Sequence, residues 1–303
     1  VSAFAGLTTF ARSYLAQEAP DADLHAKIRS YYEQCDWHYR LICGDRDNLA
    51  LHYGYWDAET RTHADAVVRM NRALADAADV RPGDRILDAG CGNGGSSLWL
   101  ARERGATCLG LTLVPTQAER GNRHAERRGL AERCRLKVAD YGRTGLDDAS
   151  FDLVWAQESL CHAPHKREVL REWRRLLAPG GRVMISDGFR TRRDAPPDDD
   201  AILRTWLDGW VIPDLATVPE LMADLEAAGF TGVVIQDMSA AILPDAERMG
   251  RLAAAATGAS RRLGVDRWIR ARERGNVDGA VAQREALRRG AWRHVCITGR
   301  VAG

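Results

Sequence analysis

Between Leu24 and Ile42 the apolar positions Leu24, Ile28, Tyr31, Cys35, Tyr39 and Ile42 recur at helical spacing, which predicts an amphipathic helix with Gly44 as its stop. A second helical pattern runs from about Thr62 to Ala78 and carries Ala66, Val67, Met70, Leu74 and Ala77 on one face. Between the two, His52-Tyr53-Gly54-Tyr55-Trp56 is too aromatic for an ordinary loop. From Arg85 the pattern changes. Short apolar runs at Arg85–Asp88, Thr107–Leu113, Arg135–Ala139, Phe151–Gln157 and Arg182–Ser186 read as strands, with helical patterns between them. One such helix has Pro115 in its first turn and Gly129 after its last; another spans 164–177, with Val169, Leu170, Trp173, Leu176 and Leu177 as its apolar stripe. A loop is expected over Arg190–Asp200, an aromatic segment over Ile202–Trp210, and a helix over Val218–Ala228. A strand at Gly232–Gln236, arginine-rich helices over 245–290 and a closing strand at Trp292–Val301 complete the chain. Strands alternating with helices at this spacing predict an α/β fold: a Rossmann-like, doubly wound, mostly parallel sheet, seven-stranded if every run is counted.

Composition narrows the function classes. The 303 residues, 45% of them hydrophobic, suffice for a full core, and a net charge of +1 gives no reason to expect nucleic acid. Acids interspersed among the arginines of 245–290 point to a solvated helical surface. Seven scattered cysteines without a C-x-x-C pair argue against a disulfide framework or a thiolate zinc site. No signal-like or membrane-spanning stretch stands out, so a soluble, cytoplasmic protein is the expectation. Residues 1–20 carry no clear pattern and read as an arm.

The chemistry gathers at Arg85-Ile-Leu-Asp-Ala-Gly-Cys-Gly-Asn-Gly-Gly95, where a strand passes through four glycines into a helix. Such a turn brings bare backbone to a ligand and aims a helix N-terminus at it. A nucleoside triphosphate is excluded because no G-K-[ST] follows. A dinucleotide matches G-x-G-x-x-G, but Asp88 would then face a pyrophosphate, and the ribose-binding acid expected about 20 residues on is missing: Thr112 stands there. A carboxylate before the glycines suits a ligand with positive charge, as in the amino group and sulfonium of S-adenosylmethionine.

Asp88-Ala-Gly-Cys-Gly-Asn-Gly94 resembles the D-x-G-x-G-x-G motif of class I S-adenosylmethionine-dependent methyltransferases. Ala139-Asp140-Tyr141 and Leu176-Leu-Ala-Pro-Gly-Gly-Arg182 are similar to two further motifs of that family, in order, and the likeness spans roughly residues 25–240. Gly110-Leu-Thr-Leu-Val-Pro-Thr-Gln117 resembles a stretch of cyclopropane-fatty-acid synthases and of tocopherol-type and sterol C-methyltransferases. The resemblance implies S-adenosylmethionine as cofactor and S-adenosylhomocysteine as product. It places Asp88, Gly90, Gly92, Asn93, Gly94, Leu113 and Gln157 around the donor, Thr112 and Gln117 on the ribose, and Asp140 with Tyr141 at the adenine. Tyr32, in an N-terminal helical cap over residues 1–80, would close over the methionine end. The remainder, 81–303, would be the cofactor-binding domain, with helical acceptor-binding segments at 190–230 and 245–290.

The reaction needs alignment, exclusion of water and, for some acceptors, a base. Gln157-Glu-Ser-Leu-Cys-His162 follows the fourth strand, where the acceptor should lie. Glu158, beside apolar Trp155 and Leu160, is the first candidate base or cation stabiliser, and His162 is the second. Capping of the next helix and packing at its start are the plainer roles for these two. Tyr31, Tyr53, Trp56, Cys161, Trp206 and Trp210 are candidates for the acceptor wall. The expected partner is a small hydrophobic acceptor. Carbon methylation of an isoprenoid or prenylated natural product ranks ahead of oxygen or nitrogen methylation of a phenol, indole or amine, and an NAD(P)-dependent oxidoreductase is remote. No protein-bound metal is expected, although a diphosphate substrate would bring Mg2+ with it; a homo-oligomer is left open.

Overall fold

The computed structural model describes residues 21–42, 48–262 and 271–302. The expected stop at Gly44 and the N-terminal arm lie outside them. Helix α1 (Ala22–Ile42) and helix α2 (His63–Ala77) precede the alternating region. Thr62 caps α2 through a reciprocal box with Asp65, which satisfies two otherwise orphaned N–H groups. The alternation follows as β1 (Arg85–Ala89), α3 (Gly95–Glu103), β2 (Thr107–Thr112), α4 (Pro115–Arg127), β3 (Cys134–Val138), β4 (Phe151–Gln157), α5 (Lys166–Leu176) and β5 (Leu177–Arg190). The chain closes with α6 (Pro197–Gly209), α7 (Val218–Ala227), β6 (Phe230–Asp237), α8 (Ser239–Arg262), α9 (Ala271–Arg288) and β7 (Trp292–Val301).

The seven strands form one sheet in the order β3-β2-β1-β4-β5-β7-β6, parallel except where β7 pairs antiparallel with β5 and β6. Successive residues of a strand face opposite sides. Ile86, Trp155 and Met184 therefore belong to a core packed by α2 and α3, with Trp206 and Trp292, while Leu87, Val154 and Val183 belong to the core of Trp173 and Leu221. The winding direction reverses between β1 and β4, so the loops leaving their carboxyl ends open a crevice there.

Two boundaries differ from the sequence pattern. β5 is far longer than Arg182–Ser186, because β7 supplies nine consecutive antiparallel partners from Arg182 to Arg190. The expected loop over Arg190–Asp200 stops at Pro197, where Asp198, Asp199 and Asp200 fill the first turn of α6 and suit the positive end of its dipole. The arginines of α8 and α9 pair with acids, as in Arg251 with Glu247 and Arg289 with Glu285, which fits a solvated surface.

Candidate active site

The turn after β1 is held open by backbone geometry. Gly90, Gly92 and Gly94 all have positive φ (88°, 52° and 79°), and the Gly90 and Cys91 N–H groups both bond to the Leu111 carbonyl of β2. A Cβ on Gly90 would lie 2.4 Å from that of Ser159, so the loop after β4 presses directly on the glycine turn. Ser159 is itself fixed by its hydroxyl donating to the Ala89 carbonyl at 2.5 Å.

Around this turn lies a chamber of about 1210 Å³, counting its open mouth, a size suited to a nucleoside ligand. Asp88, Gly90, Gly92, Thr112, Leu113, Gln117, Asp140, Tyr141 and Gln157 line it, with Tyr32 from α1 on the opposite side. Several of these groups are preset. The Thr112 hydroxyl donates to Gln117 Oε1 at 2.7 Å, which turns the amide nitrogen of Gln117 away from that contact. Gly142 N–H holds Asp140 Oδ1 at 2.7 Å, and the Tyr141 hydroxyl donates to the Ser159 carbonyl. The Gln157 oxygen accepts from Ser96 and Trp155, leaving a buried Nε2 with no partner in the protein. Burial pushes the Asp88 carboxyl up to about 7 despite the Ser97 hydroxyl donating to it at 2.5 Å. A buried acid held partly neutral, an orphaned amide donor and a cradle of glycines fit a cationic nucleoside such as S-adenosylmethionine. Asn93 and Gly94 do not line the chamber. Asn93 Oδ1 accepts from Arg120, and a Cβ on Gly94 would strike Leu136, so both shape the turn from behind.

A second chamber of about 800 Å³ adjoins the first. Tyr53, Cys161, Trp206 and Trp210 line it, whereas Tyr31 and Trp56 line neither chamber. Tyr31 is 1% exposed, and its hydroxyl donates to Asn276 Oδ1 of α9 at 2.7 Å, so it pins α1 to α9 instead of facing a ligand. Trp56 is tied through its backbone N–H to Ala241 of α8. The burial of Trp206 comes from Trp210 at 5.9 Å and Trp292 at 4.7 Å between ring centres.

Tyr32, Leu51, His52, Glu158 and His162 line both chambers. Glu158 has a positive φ of 52°, unusual for a residue with a Cβ, and its N–H donates to the Ser186 carbonyl of β5. Its Oε1 accepts from Tyr53 N–H at 2.9 Å. Burial holds its carboxyl well above the usual range, with Asp187 and Asp245 adding repulsion against the one bond to Tyr53. Burial lowers His162 to about 4, so it is neutral at pH 7. Its Nδ1 faces the Val211 carbonyl at 3.1 Å, and because a carbonyl only accepts, the proton sits there; Nε2 then accepts from the Tyr32 hydroxyl at 3.1 Å. His165, at the start of α5, is exposed.

Sequence reasoning missed His52, Asp187, Asp245, Trp292 and His294, all of which line the second chamber. None sits in a motif, and four of the five come from elements beyond β4. The aromatic run at 52–56 was the one local signal, and it pointed to Tyr53 and Trp56 more than to His52.

Comparison with known proteins agrees with this geometry. A family model described as a methyltransferase domain matches residues 87–185. A 27-O-demethylrifamycin SV methyltransferase of Amycolatopsis mediterranei is 35% identical over 189 residues, covering 62% of this chain and 69% of that protein. The chain belongs to the S-adenosylmethionine-dependent methyltransferase family. A probable chloroplastic tocopherol O-methyltransferase of Oryza sativa subsp. japonica is 32% identical over 232 residues, 72% of this chain but 63% of the rice protein. In fold, the chain superposes on geranyl diphosphate C-methyltransferase from Streptomyces coelicolor A3(2), bound to Mg2+, geranyl diphosphate and S-adenosyl-L-homocysteine, with a TM-score of 0.69 and 21% identity over 93% of this chain and 99% of that one. Among the described residues no helix is long and apolar enough to cross a membrane.

Proposed function

We propose that the chain transfers a methyl group from S-adenosylmethionine to an electron-rich centre of a small, largely apolar molecule, an alkene carbon of an isoprenoid or prenylated natural product being the reading the site supports best. The observation that carries it is the placement of Glu158 on the wall common to both chambers. In this reading the chamber around the glycine turn holds the donor through Asp88, Gly90, Gly92, Thr112, Gln117 and Asp140, and the second chamber holds the acceptor. The cofactor, when bound, supplies a methyl carbon whose C–S bonding pair leaves with the sulfur as S-adenosylhomocysteine.

The π pair of the alkene forms the new C–C bond and leaves a cation on the adjacent carbon. The faces of Tyr53, Trp206, Trp210 and Trp292, together with the Glu158, Asp187 and Asp245 carboxyls, surround the space where that cation would form. The ionised Glu158 carboxylate then takes the neighbouring proton, restores the double bond and passes the proton to solvent through the open chamber. Neutral His162 holds Tyr32 over the junction and helps exclude water. Methylation of an amine nitrogen is a second reading, favoured by the same excess of negative charge. Glu158→Gln tests the assignment: turnover of labelled methyl should fall about 10²-fold or more while S-adenosylhomocysteine affinity stays within a factor of two. Unchanged turnover would remove Glu158 from the chemistry.

A further inference from the structure

The second chamber has a charge balance and a set of unanswered hydrogen-bonding atoms that describe the acceptor's polar end. Its carboxyl, arginine and histidine lining consists of the acids Glu158, Asp187 and Asp245, one arginine, Arg248, and the histidines 52, 63, 162 and 294. Arg248 faces Asp245 at ion-pair distance, with Nε 3.7 Å from Oδ1 and no hydrogen bond between those two atoms, and no lysine lines the chamber. His63 lies 3.4 Å from the same Asp245. Burial holds His52, His162 and His294 neutral, lowering them to about 4, about 4 and about 3. An anionic head group would meet the Asp245 carboxylate, the buried Glu158 and Asp187 carboxyls, and a single arginine that already faces Asp245. Bridging by a metal ion finds little support, because the carboxyls are tied to backbone N–H groups: Asp187 to Cys161 and Gly188, Asp245 to Gly54, and Glu158 to Tyr53. Among the described residues no three His, Cys, Asp or Glu side chains converge as metal ligands.

Against this the chamber offers neutral partners that nothing in the protein uses. Tyr53, Trp206 and His294 are 8%, 3% and 1% exposed, yet the Tyr53 hydroxyl, Trp206 Nε1 and His294 Nδ1 have no hydrogen-bond partner. His52 Nδ1 faces the Tyr53 carbonyl at 2.9 Å and so carries the proton, which leaves its unpartnered Nε2 as an acceptor. Orphaned buried polar atoms of this kind cost on the order of 1–3 kcal/mol each unless something satisfies them. Three of these atoms have been given chemical roles by their neighbours or their nature: Trp206 N–H can only donate, Tyr53 O–H does both, and His52 Nε2 accepts.

We propose that the acceptor of this methyltransferase carries an uncharged polar end with at least one hydroxyl and one carbonyl or ether oxygen, that Trp206 and Tyr53 donate to the oxygen while His52 Nε2 accepts from the hydroxyl, and that the chamber rejects a prenyl diphosphate. The inference rests on the assignment of the second chamber to the acceptor.

The test holds the isoprenoid chain constant and varies the head. Protein loaded with S-adenosylhomocysteine is titrated with geranyl diphosphate, with and without Mg2+, and with geranylated dihydroxyacetophenone, following quenching of tryptophan fluorescence and, in parallel, calorimetric heat. The neutral probe should bind at least tenfold more tightly than the diphosphate under both conditions. Trp206→Phe and Tyr53→Phe should each erase most of that preference, weakening the neutral probe about tenfold while leaving S-adenosylhomocysteine affinity unchanged. Equal or tighter binding of the diphosphate overturns the inference, as does failure of the neutral probe to bind. Loss of S-adenosylhomocysteine binding by the wild-type protein would instead strike the methyltransferase reading itself, so the two failures are distinct.

Discussion

Cofactor binding should be coupled to loss of a proton from Asp88. In the free protein burial raises this carboxyl from 3.8 to about 7, and a ligand with positive charge beside it favours the ionised form. If the ligand returns the group to the ordinary carboxylate range, the ionised fraction of the free protein sets the pH dependence. That fraction is about 0.9 at pH 8 and about 0.1 at pH 6, so the Kd for S-adenosylhomocysteine should rise about tenfold between them. Near pH 7 binding should release about half a proton, read by calorimetry in buffers of different ionisation enthalpy. Asp88→Asn should bind weakly at both pH values with a flat profile. It should also be more thermostable than wild type at pH 8. The sign follows from linkage: the folded state holds the Asp88 proton more tightly than the unfolded chain, so stability from this group is full below 3.8 and is lost as pH rises towards 7, by about 4 kcal/mol in all. A pH-independent Kd in wild type, or the same slope in Asp88→Asn, would refute the coupling.

Four further outcomes can be checked. Because burial and its acidic neighbours raise Glu158, the turnover rate should climb with pH through a value well above that of an ordinary carboxylate, and the climb should vanish in Glu158→Gln; a flat wild-type profile would contradict the assigned base. Gly90→Ala should cost about 2 kcal/mol and weaken S-adenosylhomocysteine binding more than tenfold, since it adds strain at φ 88° to a clash with Ser159. Gly129→Ala, also at positive φ but facing open space, should cost about 1 kcal/mol by urea unfolding and leave binding intact. Arg182→Ala should destabilise by about 3 kcal/mol, because it leaves the Asp84 carboxyl, whose Oδ2 lies 2.7 Å from Arg182 Nη2 with both side chains under 10% exposed, with only the Arg81 N–H beside it. A loss below about 1 kcal/mol in urea unfolding would show that water reaches that pair.

The two adjacent tyrosines of α1 mark where local pattern stops being informative. Tyr31 and Tyr32 are successive residues on one helix, about 100° apart around its axis. Both stand in the same aromatic-rich stretch, and either could face a ligand. The docking of α9 decides between them: Asn276 captures the Tyr31 hydroxyl, and Tyr32 is left towards His162 and the junction. Likewise the pattern marked Arg182–Ser186 as a strand, but only the pairing with β7 extends it to Arg190 and carries Asp187 and Gly188 into the second chamber.

By itself the sequence determined the alternation of strands and helices, the glycine turn with Asp88 ahead of it, and the Thr112–Gln117 pair. These depend on periodicity, φ preference and contacts within a few residues. Tertiary structure alone decided that Glu158 stands between two chambers, that His162 is neutral, and that His52, His294 and Trp292 share a wall with Trp206. Those properties come from burial and from the meeting of a loop before α2 with β7 and α6, residues more than 80 positions apart along the chain. Spacing carries no record of such encounters, because β7, the last strand along the chain, brings Trp292 and His294 beside Asp187 and Trp206 only by inserting between β5 and β6.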